Sequence, residues 1–225
     1  MELHPYYPIG IDIPGYKPND RPLVVILGYF SIGVAAVLAG AFAVARYLRP
    51  SISCGDLFIV LWFALSAALH CGFEGYLITH LAQIPGAQDV LSQLWKEYSK
   101  SDSRYLTADA FVTSIETVTV VVWGPLCFLV AYLTIVDHPL RHPLQIIASV
   151  AHLYGATLYY ATSFFDQYVH GVPHGRPEPL YYWVYFILMN LPWVIVPAFL
   201  IRQSLTAISG AIRTVNHINA QKKSR

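Results

Sequence analysis

Long apolar segments separated by shorter polar connections are the dominant pattern of the chain. Five of these segments are long enough to cross the roughly 30 Å hydrocarbon core of a bilayer as helices. They cover residues 23–48, 56–80, 108–136, 144–165 and 180–201. The pattern therefore predicts an all-α integral membrane protein, a bundle of five transmembrane helices.

The segments outside these spans have three different characters. Residues 1–22 contain five prolines, which remove backbone donors and favour extended conformations, so we expect a non-helical N-terminal arm. The connection 81–107 is too polar to span a membrane and too rich in aromatic residues to be a simple linker. Residues 202–225 are expected to form a cytosolic amphipathic tail. No apolar leader precedes the first span, which should then act as both signal and anchor.

Composition agrees with the membrane class and excludes several others. Hydrophobic residues make up 56% of the chain and charged residues 12%, against about 25% charged in an ordinary soluble domain. A net charge of +1 gives no basic surface for phosphates, so nucleic acid is not an expected partner. Cys54, Cys71 and Cys127 lie far apart in sequence and indicate neither a zinc motif nor a disulfide framework.

The basic residues favour a cytosolic C-terminus. Five spans place the termini on opposite sides of the membrane, with eight lysines and arginines on the C-terminal side and six on the other. An excess of this kind marks the cytosolic side. The final residues, KKSR, are similar to the dilysine signal that returns membrane proteins to the endoplasmic reticulum. We therefore expect a multi-pass protein of the endoplasmic reticulum membrane.

Two glutamates stand inside the predicted spans, near mid-depth. Glu74 lies four residues after His70, which places both on one helix face, and Glu116 lies in the third span. An ionised carboxylate in hydrocarbon is disfavoured by roughly 2.5 kcal/mol or more, so such residues face a bundle interior and mark a site. Other polar and aromatic residues share these faces: Thr119 and Trp123 with Glu116, and Asn190 with Trp193 in the fifth span.

The three spans that carry these residues contain no lysine or arginine. Without a cation, two neighbouring carboxylates avoid repulsion only if one of them holds a proton. A protonated acid in a dry pocket can donate to an apolar substrate, while a carboxylate or imidazole removes a proton from the adjacent carbon. The rings of Trp123 and Trp193 can face a cationic intermediate. A structural alternative stays open, because buried His and Asn also join helices and Trp also fills cores or anchors at the interface.

Two histidine pairs have the spacing of metal ligands on a helix. Pro139 and Pro143 interrupt the pair His138 and His142, and Gly171 and Pro173 interrupt the pair His170 and His174. Neither pair is therefore expected to share a helix face, and we predict no metal ligands. The chain also lacks a glycine-rich nucleotide loop, an HExxH motif and a GxSxG motif.

Motifs spread over nearly the whole chain resemble one family. They are HPYYP, KPNDRP, HCGFEGY, LSQLWKEYSKSDSRY, IETVTVVVWGP, HPLRHPLQIIASVAHLYG and MNLPWVIVP. They are similar to the emopamil-binding protein family, the sterol delta-8, delta-7 isomerases of the endoplasmic reticulum. The resemblance implies that residues 23–201 form an isomerase domain enclosing an intramembrane sterol pocket. It also implies a reaction without metal or redox cofactor, in which carbon 9 is protonated, a carbocation forms at carbon 8 and carbon 7 loses a proton.

The resemblance also implies roles for single residues. His70 and Glu74 match the HxxxE motif and would form a proton relay, Glu116 and Thr119 match ETxT, and Asn190 and Trp193 match NxxW. In this assignment Glu116 and Trp193 face the cation and Asn190 orients a carboxylate. The expected substrate-binding residues are Trp123, Tyr105, Tyr154, Asp102 and Arg104. An alternative interpretation of Asp102 and Arg104 is a surface ion pair near the mouth of the pocket. Pro192 inside NxxW departs from the family pattern and leaves substrate preference open.

Two alternatives to an isomerase remain at this stage. One is a non-catalytic sterol or cationic-amphiphile binding protein of the same fold, similar to the sigma-2 receptor. The other is a metal oxygenase, which the interrupted histidine pairs disfavour. The partners implied by the resemblance are a sterol substrate, cationic amphiphilic amines, membrane lipid, a second copy of the chain and a sterol reductase.

Overall fold

The computed structural model describes residues 4–224, and within that range it is entirely helical, without strands. Six helices follow one another, with a short 3₁₀ turn at Ser103–Tyr105. They are α1 (Leu23–Leu48), α2 (Cys54–His80), α3 (Val90–Tyr98), α4 (Ala110–Ile135), α5 (Arg141–Phe165) and α6 (Leu180–Lys223). The predicted all-α class is confirmed.

Four of the helices are long and apolar enough to cross a membrane, so the protein is a membrane protein. They are α1, α2, α4 and α6. The fifth expected span, residues 144–165, is helical as part of α5 but is more polar than the other four. Its polar residues lie inside the bundle, where Gln145 donates to the carbonyl of Leu200 at 3.1 Å. The helix α5 packs along α6, with which it makes its most extensive contact.

Helix α6 differs from expectation at its C-terminal end. We expected a span ending at residue 201 followed by a tail, but the helix continues without a break to Lys223. No proline follows Ile201, so nothing in the backbone interrupts the hydrogen bonds beyond the apolar part. Most of this extension is exposed. Helix α6 therefore does not end where its apolar part ends.

Three of the candidate spans contain a wide π-helical segment. In α2 it covers Leu69–Glu74, in α4 it covers Thr119–Trp123, and α6 begins with one at Leu180–Leu188. A π segment inserts an extra residue into a turn and re-aims the side chains that follow, and such segments are frequent at functional sites. Here the first two carry four of the predicted site residues.

A layer that we call the cap covers one end of the bundle. It consists of residues 4–22, 81–109 and 171–179, and it holds α3. Inside it, the Tyr6 hydroxyl donates to the carbonyl of Lys96 at 2.8 Å, and the Lys96 ammonium donates to the carbonyls of Lys17 and Ala87 at 2.9 and 2.7 Å. Burial lowers the pKa of Lys96 to about 8, so the ammonium still carries its proton at neutral pH. The N-terminal arm is thereby fastened to α3.

The connection after α5 joins the same cap. The amide of Ser103 donates to the carbonyl of His174 at 3.0 Å, and a side chain at Gly175 would overlap the carbonyl of Ser101. His174 and His170 also contact the carboxylate of Asp166 at 2.8 and 3.0 Å. The hydrogen bond with His174 holds the pKa of Asp166 below its usual range. The three parts of the cap thus form one packed unit.

Charged side chains join the helices at the opposite end of the bundle. The carboxylate of Asp56, at the start of α2, lies 3.3 Å from the Arg49 guanidinium and 2.9 Å from the Arg141 guanidinium. Both arginines also approach Asp137, at 3.6 and 3.3 Å. Asp56 is almost buried, with a side-chain exposure of 12%. It therefore links the ends of α1, α2 and α5.

We expect Asp56→Asn to destabilise the protein by about 1–3 kcal/mol, because two partly buried guanidinium groups would lose their shared carboxylate. Thermal unfolding in detergent micelles should show a midpoint several degrees below that of the wild type. Asp12→Asn, a matched change at an exposed position, is the control and should leave the midpoint in place. Equal midpoints for Asp56→Asn and the wild type would contradict this role.

Candidate active site

A cavity of about 820 Å³ lies inside the bundle against the cap. All six helices contribute to its wall, and most of the lining side chains are aliphatic or aromatic. No lysine or arginine from the described part of the chain is among them. The volume lies within the roughly 300–1,000 Å³ of small-molecule sites. The cavity can therefore hold a sizeable apolar molecule next to a few acidic and imidazole groups.

The first of these groups is a hydrogen-bonded pair on the π segment of α2. The Nδ1 atom of His70 lies 2.9 and 2.8 Å from the two carboxylate oxygens of Glu74. The His70 side chain is 6% exposed and that of Glu74 18%, the latter because it faces the cavity. The expected pairing of these residues is present in the structure.

Glu116 of α4 meets this pair from the other side. Its carboxyl group lies close to the Glu74 carboxyl group and to the Tyr105 hydroxyl. Both glutamates line the cavity. Two neighbouring carboxyl groups avoid charge repulsion only if one of them holds a proton. The structure thus brings together the two acids that the sequence placed on separate spans.

A second imidazole continues the row of polar groups. The Nε2 atom of His70 lies 3.0 Å from Nε2 of His152 on α5, and the Sγ atom of Cys127 lies 3.6 Å from the same His152 nitrogen. The Nδ1 atom of His152 is buried and has no hydrogen-bond partner within residues 4–224. The polar row therefore runs from Glu116 through Glu74 and His70 to His152.

Tryptophan rings form part of the opposite wall. The ring of Trp193, in the first turn after Pro192, lies 5.4 Å from the ring of Trp62, measured between centroids. Trp123 also lines the cavity. The indole N–H groups of Trp62 and Trp193 are buried without partners among the described residues. These rings can present their faces to a ligand as expected for Trp123 and Trp193.

Asn190 and Thr119 line the cavity, and Asn190 makes hydrogen bonds other than the expected one to a carboxylate. The Asn190 amide donates to the Tyr98 hydroxyl at 3.0 Å and to the carbonyl of Phe186 at 2.8 Å, so these bonds reach no carboxylate. The Thr119 hydroxyl donates to the carbonyl of Ile115 at 2.8 Å, one turn earlier. The structure therefore gives both residues a part in the wall and not in the acid pair.

Only some of the predicted substrate-binding residues line the cavity. Tyr105 and Tyr154 line the cavity, the latter 64% exposed. Asp102 and Arg104 do not line the cavity. They form a buried ion pair, in which the Asp102 side chain is 0% exposed and the Arg104 side chain 2%. The Arg104 guanidinium also lies over the ring of Tyr159 at 5.3 Å. Their reading as a surface ion pair is wrong, because the cap covers them, and they support the wall from behind.

Some residues of the site were not among the predicted ones. Glu97, Tyr98 and Tyr185 line the cavity, and the Glu97 carboxylate is paired with Lys100 at 2.6 Å. Glu97 belongs to the LSQLWKEYSKSDSRY motif, whose polar residues predicted a connection and not a helix against the cavity. His152 was visible as a polar residue in an apolar span. Its partner His70 lies 82 positions away, so only the fold brings them together.

The chain has clear relatives among known proteins. The family described as EXPERA (EXPanded EBP superfamily) matches residues 90–204. Two proteins named 3-beta-hydroxysteroid-Delta(8),Delta(7)-isomerase are similar to this chain over most of their length. The one from Mus musculus is 34% identical, and the alignment covers 94% of this chain and 91% of that protein. One from Cavia porcellus is 35% identical, with 93% and 90% covered. The chain belongs to the EXPERA family. The resemblance found in the sequence is confirmed.

A further EXPERA relative carries a different name. Isomeliandiol synthase MOI2 of Melia azedarach is 35% identical over 166 residues, which cover 73% of this chain and 71% of that protein. The matched EXPERA region includes Glu116, His152 and Trp193, while His70 and Glu74 precede it. The alignments with the two isomerases extend over nearly the whole chain. Relatives named as isomerases agree with the predicted enzyme class, in which a double bond is moved within one molecule.

We expect Gly124→Ala to disturb the acid pair through helix packing. A Cβ at Gly124, in α4, would overlap the Sγ atom of Cys71 and lie 3.2 Å from Cβ of His70, so the Cys71 side chain must move aside and α4 must shift from α2 by a few tenths of an ångström. Overpacking of this kind destabilises by about 1–3 kcal/mol. Thermal unfolding should show the loss. Gly72→Ala is the matched control, since its Cβ meets nothing within 4 Å and should change stability by less than about 1 kcal/mol. Equal behaviour of the two variants would contradict the close approach.

Proposed function

We propose that the protein is a sterol isomerase that moves the double bond between carbons 8 and 9 to the position between carbons 7 and 8. The observation that carries this proposal is the proximity of Glu74 and Glu116 in one apolar cavity, whose described lining holds no lysine or arginine. Such a pair can give a proton to one carbon and remove one from its neighbour. The names of the mouse and guinea pig relatives support the same reaction.

The proposed reaction keeps protons and electrons in balance. One carboxyl group donates its proton to carbon 9, the double-bond electrons form the new C–H bond, and carbon 8 becomes cationic. A carboxylate then removes a proton from carbon 7, and the electrons of that C–H bond form the new double bond. The bond from His70 favours the negative charge on Glu74, which leaves the shared proton on Glu116. We therefore assign Glu116 as donor and Glu74 as acceptor.

The surroundings of the pair suit a carbocation. The rings of Trp62 and Trp193 offer π faces, each worth about 0.5–2 kcal/mol to a nearby cation. The cap and the apolar wall exclude water, which would otherwise add to carbon 8. The Tyr105 hydroxyl lies near Glu116, and Tyr105 directly follows Arg104 of the buried Asp102–Arg104 pair. Asn190 holds Tyr98 in the wall and shapes the pocket.

The membrane arrangement is part of the same proposal. We infer that α5 crosses the bilayer as a fifth span, since it has 25 residues and its polar side chains turn toward the bundle. The five-span domain over 23–201 would then hold the sterol at mid-depth. The distribution of basic residues supports a cytosolic C-terminus. The relationship to sterol isomerases supports a location in the endoplasmic reticulum membrane. There the protein would pair with a second copy of the chain or with a sterol reductase.

We expect Glu116→Gln and Glu74→Gln each to lower turnover by about 100-fold or more, because general acid–base catalysis contributes roughly 10²–10⁴. The experiment expresses each variant in a yeast strain that lacks its own sterol isomerase and measures the 8-ene and 7-ene sterols. The matched control is Glu178→Gln, which removes an acid outside the cavity. It should convert sterol like the wild type.

The outcomes separate the isomerase from a binding protein. Conversion by wild type and Glu178→Gln alone supports the proposed roles. Conversion at near wild-type level by either cavity variant would refute the role of that glutamate. If the wild type is present and binds an amphiphilic tertiary amine but leaves the 8-ene sterol unchanged, the protein binds sterols without isomerising them.

A further inference from the structure

We propose that His70, His152 and Cys127 form a binding site for one zinc-type ion at the edge of the cavity. These residues come from α2, α5 and α4, and all three are buried, with His70 5%, His152 6% and Cys127 0% exposed. Their ligand atoms lie within 4.8 Å of one another. Nothing in the proposed isomerisation requires Cys127, or two imidazoles in contact.

Two of the three ligand distances are close to the edges of a metal tetrahedron, and the third lies within 4.8 Å. Zinc binds Cys sulfur at about 2.3 Å and His nitrogen at about 2.0–2.1 Å, so tetrahedral angles place sulfur and nitrogen about 3.5 Å apart and two nitrogens about 3.3 Å apart. The Cys127 Sγ to His152 Nε2 distance is 3.6 Å, and the two Nε2 atoms are 3.0 Å apart. Small shifts of the two imidazole rings would therefore complete the geometry.

His70 has a carboxylate partner of the kind that metal-bound histidines usually have. A ligating histidine usually donates its other ring N–H to a carboxylate, which fixes the tautomer and makes the free nitrogen a better ligand. His70 has this partner, because its Nδ1 atom contacts both oxygens of Glu74 at 2.8–2.9 Å. The proton then stays on Nδ1, and the Nε2 lone pair points to His152 and Cys127. This contact is independent of the three ligand distances.

The donor set selects the kind of ion. One thiolate and two imidazoles suit Zn²⁺ or Cd²⁺, whereas Mg²⁺ and Ca²⁺ take oxygen ligands. Binding replaces the Cys127 S–H bond with a metal–sulfur bond, so one proton leaves for each ion bound. His70 and His152 line the cavity, so a fourth ligand, such as water, can reach the ion from that side.

Occupation of this site would affect the reaction centre. The ion would take the Nε2 lone pair of His70, and its positive charge would stand one imidazole away from Glu74. We infer that the ion slows the proton transfer, and this part rests on the proposed function. The binding itself rests only on the geometry. A protein that binds the ion but converts no sterol would contradict the proposed function and leave the site in place.

The test titrates the purified full-length protein in detergent micelles with Cd²⁺ alone, following the ultraviolet charge-transfer band of a cadmium–thiolate bond. Cys54→Ser/Cys71→Ser, which leaves Cys127 as the single thiol, is the background. We expect one Cd²⁺ per chain in that background. Adding Cys127→Ala should abolish the band, and adding His152→Gln should weaken the affinity at least 10-fold. Elution as a monodisperse peak and unchanged circular dichroism establish that each variant is folded.

Two results would overturn the proposal. The first is the absence of a cadmium–thiolate band in the folded background variant at a large excess of Cd²⁺. The second is equal affinity in the background and in its His152→Gln derivative, which would mean that the thiol binds without the imidazoles. Competition supplies a readout that does not depend on variants: Zn²⁺ should displace Cd²⁺ and remove the band, and Mg²⁺ should leave it in place.

Discussion

Two carboxyl groups that lie close together in an apolar cavity repel each other strongly if both carry a negative charge. Glu74 and Glu116 are in this position, and no lysine or arginine of the described chain lines the cavity around them. A shared proton removes the repulsion and at the same time creates an acid beside a base. His70 contacts Glu74 on one side of the pair, and the Tyr105 hydroxyl lies near Glu116 on the other. The remaining structure keeps this pair together and dry.

The helices achieve this by local departures from regular geometry. The π segments Leu69–Glu74 and Thr119–Trp123 re-aim the side chains of α2 and α4 toward each other, and Gly124 lets the two helices approach closely. The cap then closes the end of the cavity with α3 and with the buried pair Asp102–Arg104. The π segments and the buried ion pair thus both lie close to the acids, and π segments are frequent at functional sites.

The sequence predicted the helices well because apolar length is a strong signal, and it placed His70 with Glu74 because four-residue spacing is local. It could not predict α3, whose polar residues indicate a loop but whose first turn is capped by the carboxylate of Asp89. Nor could it predict that Arg104 is buried or that Asn190 binds a tyrosine, since both depend on segments distant in the chain. The polar character of α5 likewise reflects partners on other helices.

Infrared spectroscopy detects whether Glu74 and Glu116 share one proton. We expect a carbonyl stretching band of one protonated carboxyl group in the purified protein at neutral pH. This band should shift in heavy water and should disappear in Glu116→Gln, while Glu178→Gln keeps it. A wild-type spectrum without such a band, or a band that persists in both Glu116→Gln and Glu74→Gln, would contradict the shared proton and with it the proposed chemistry of the site.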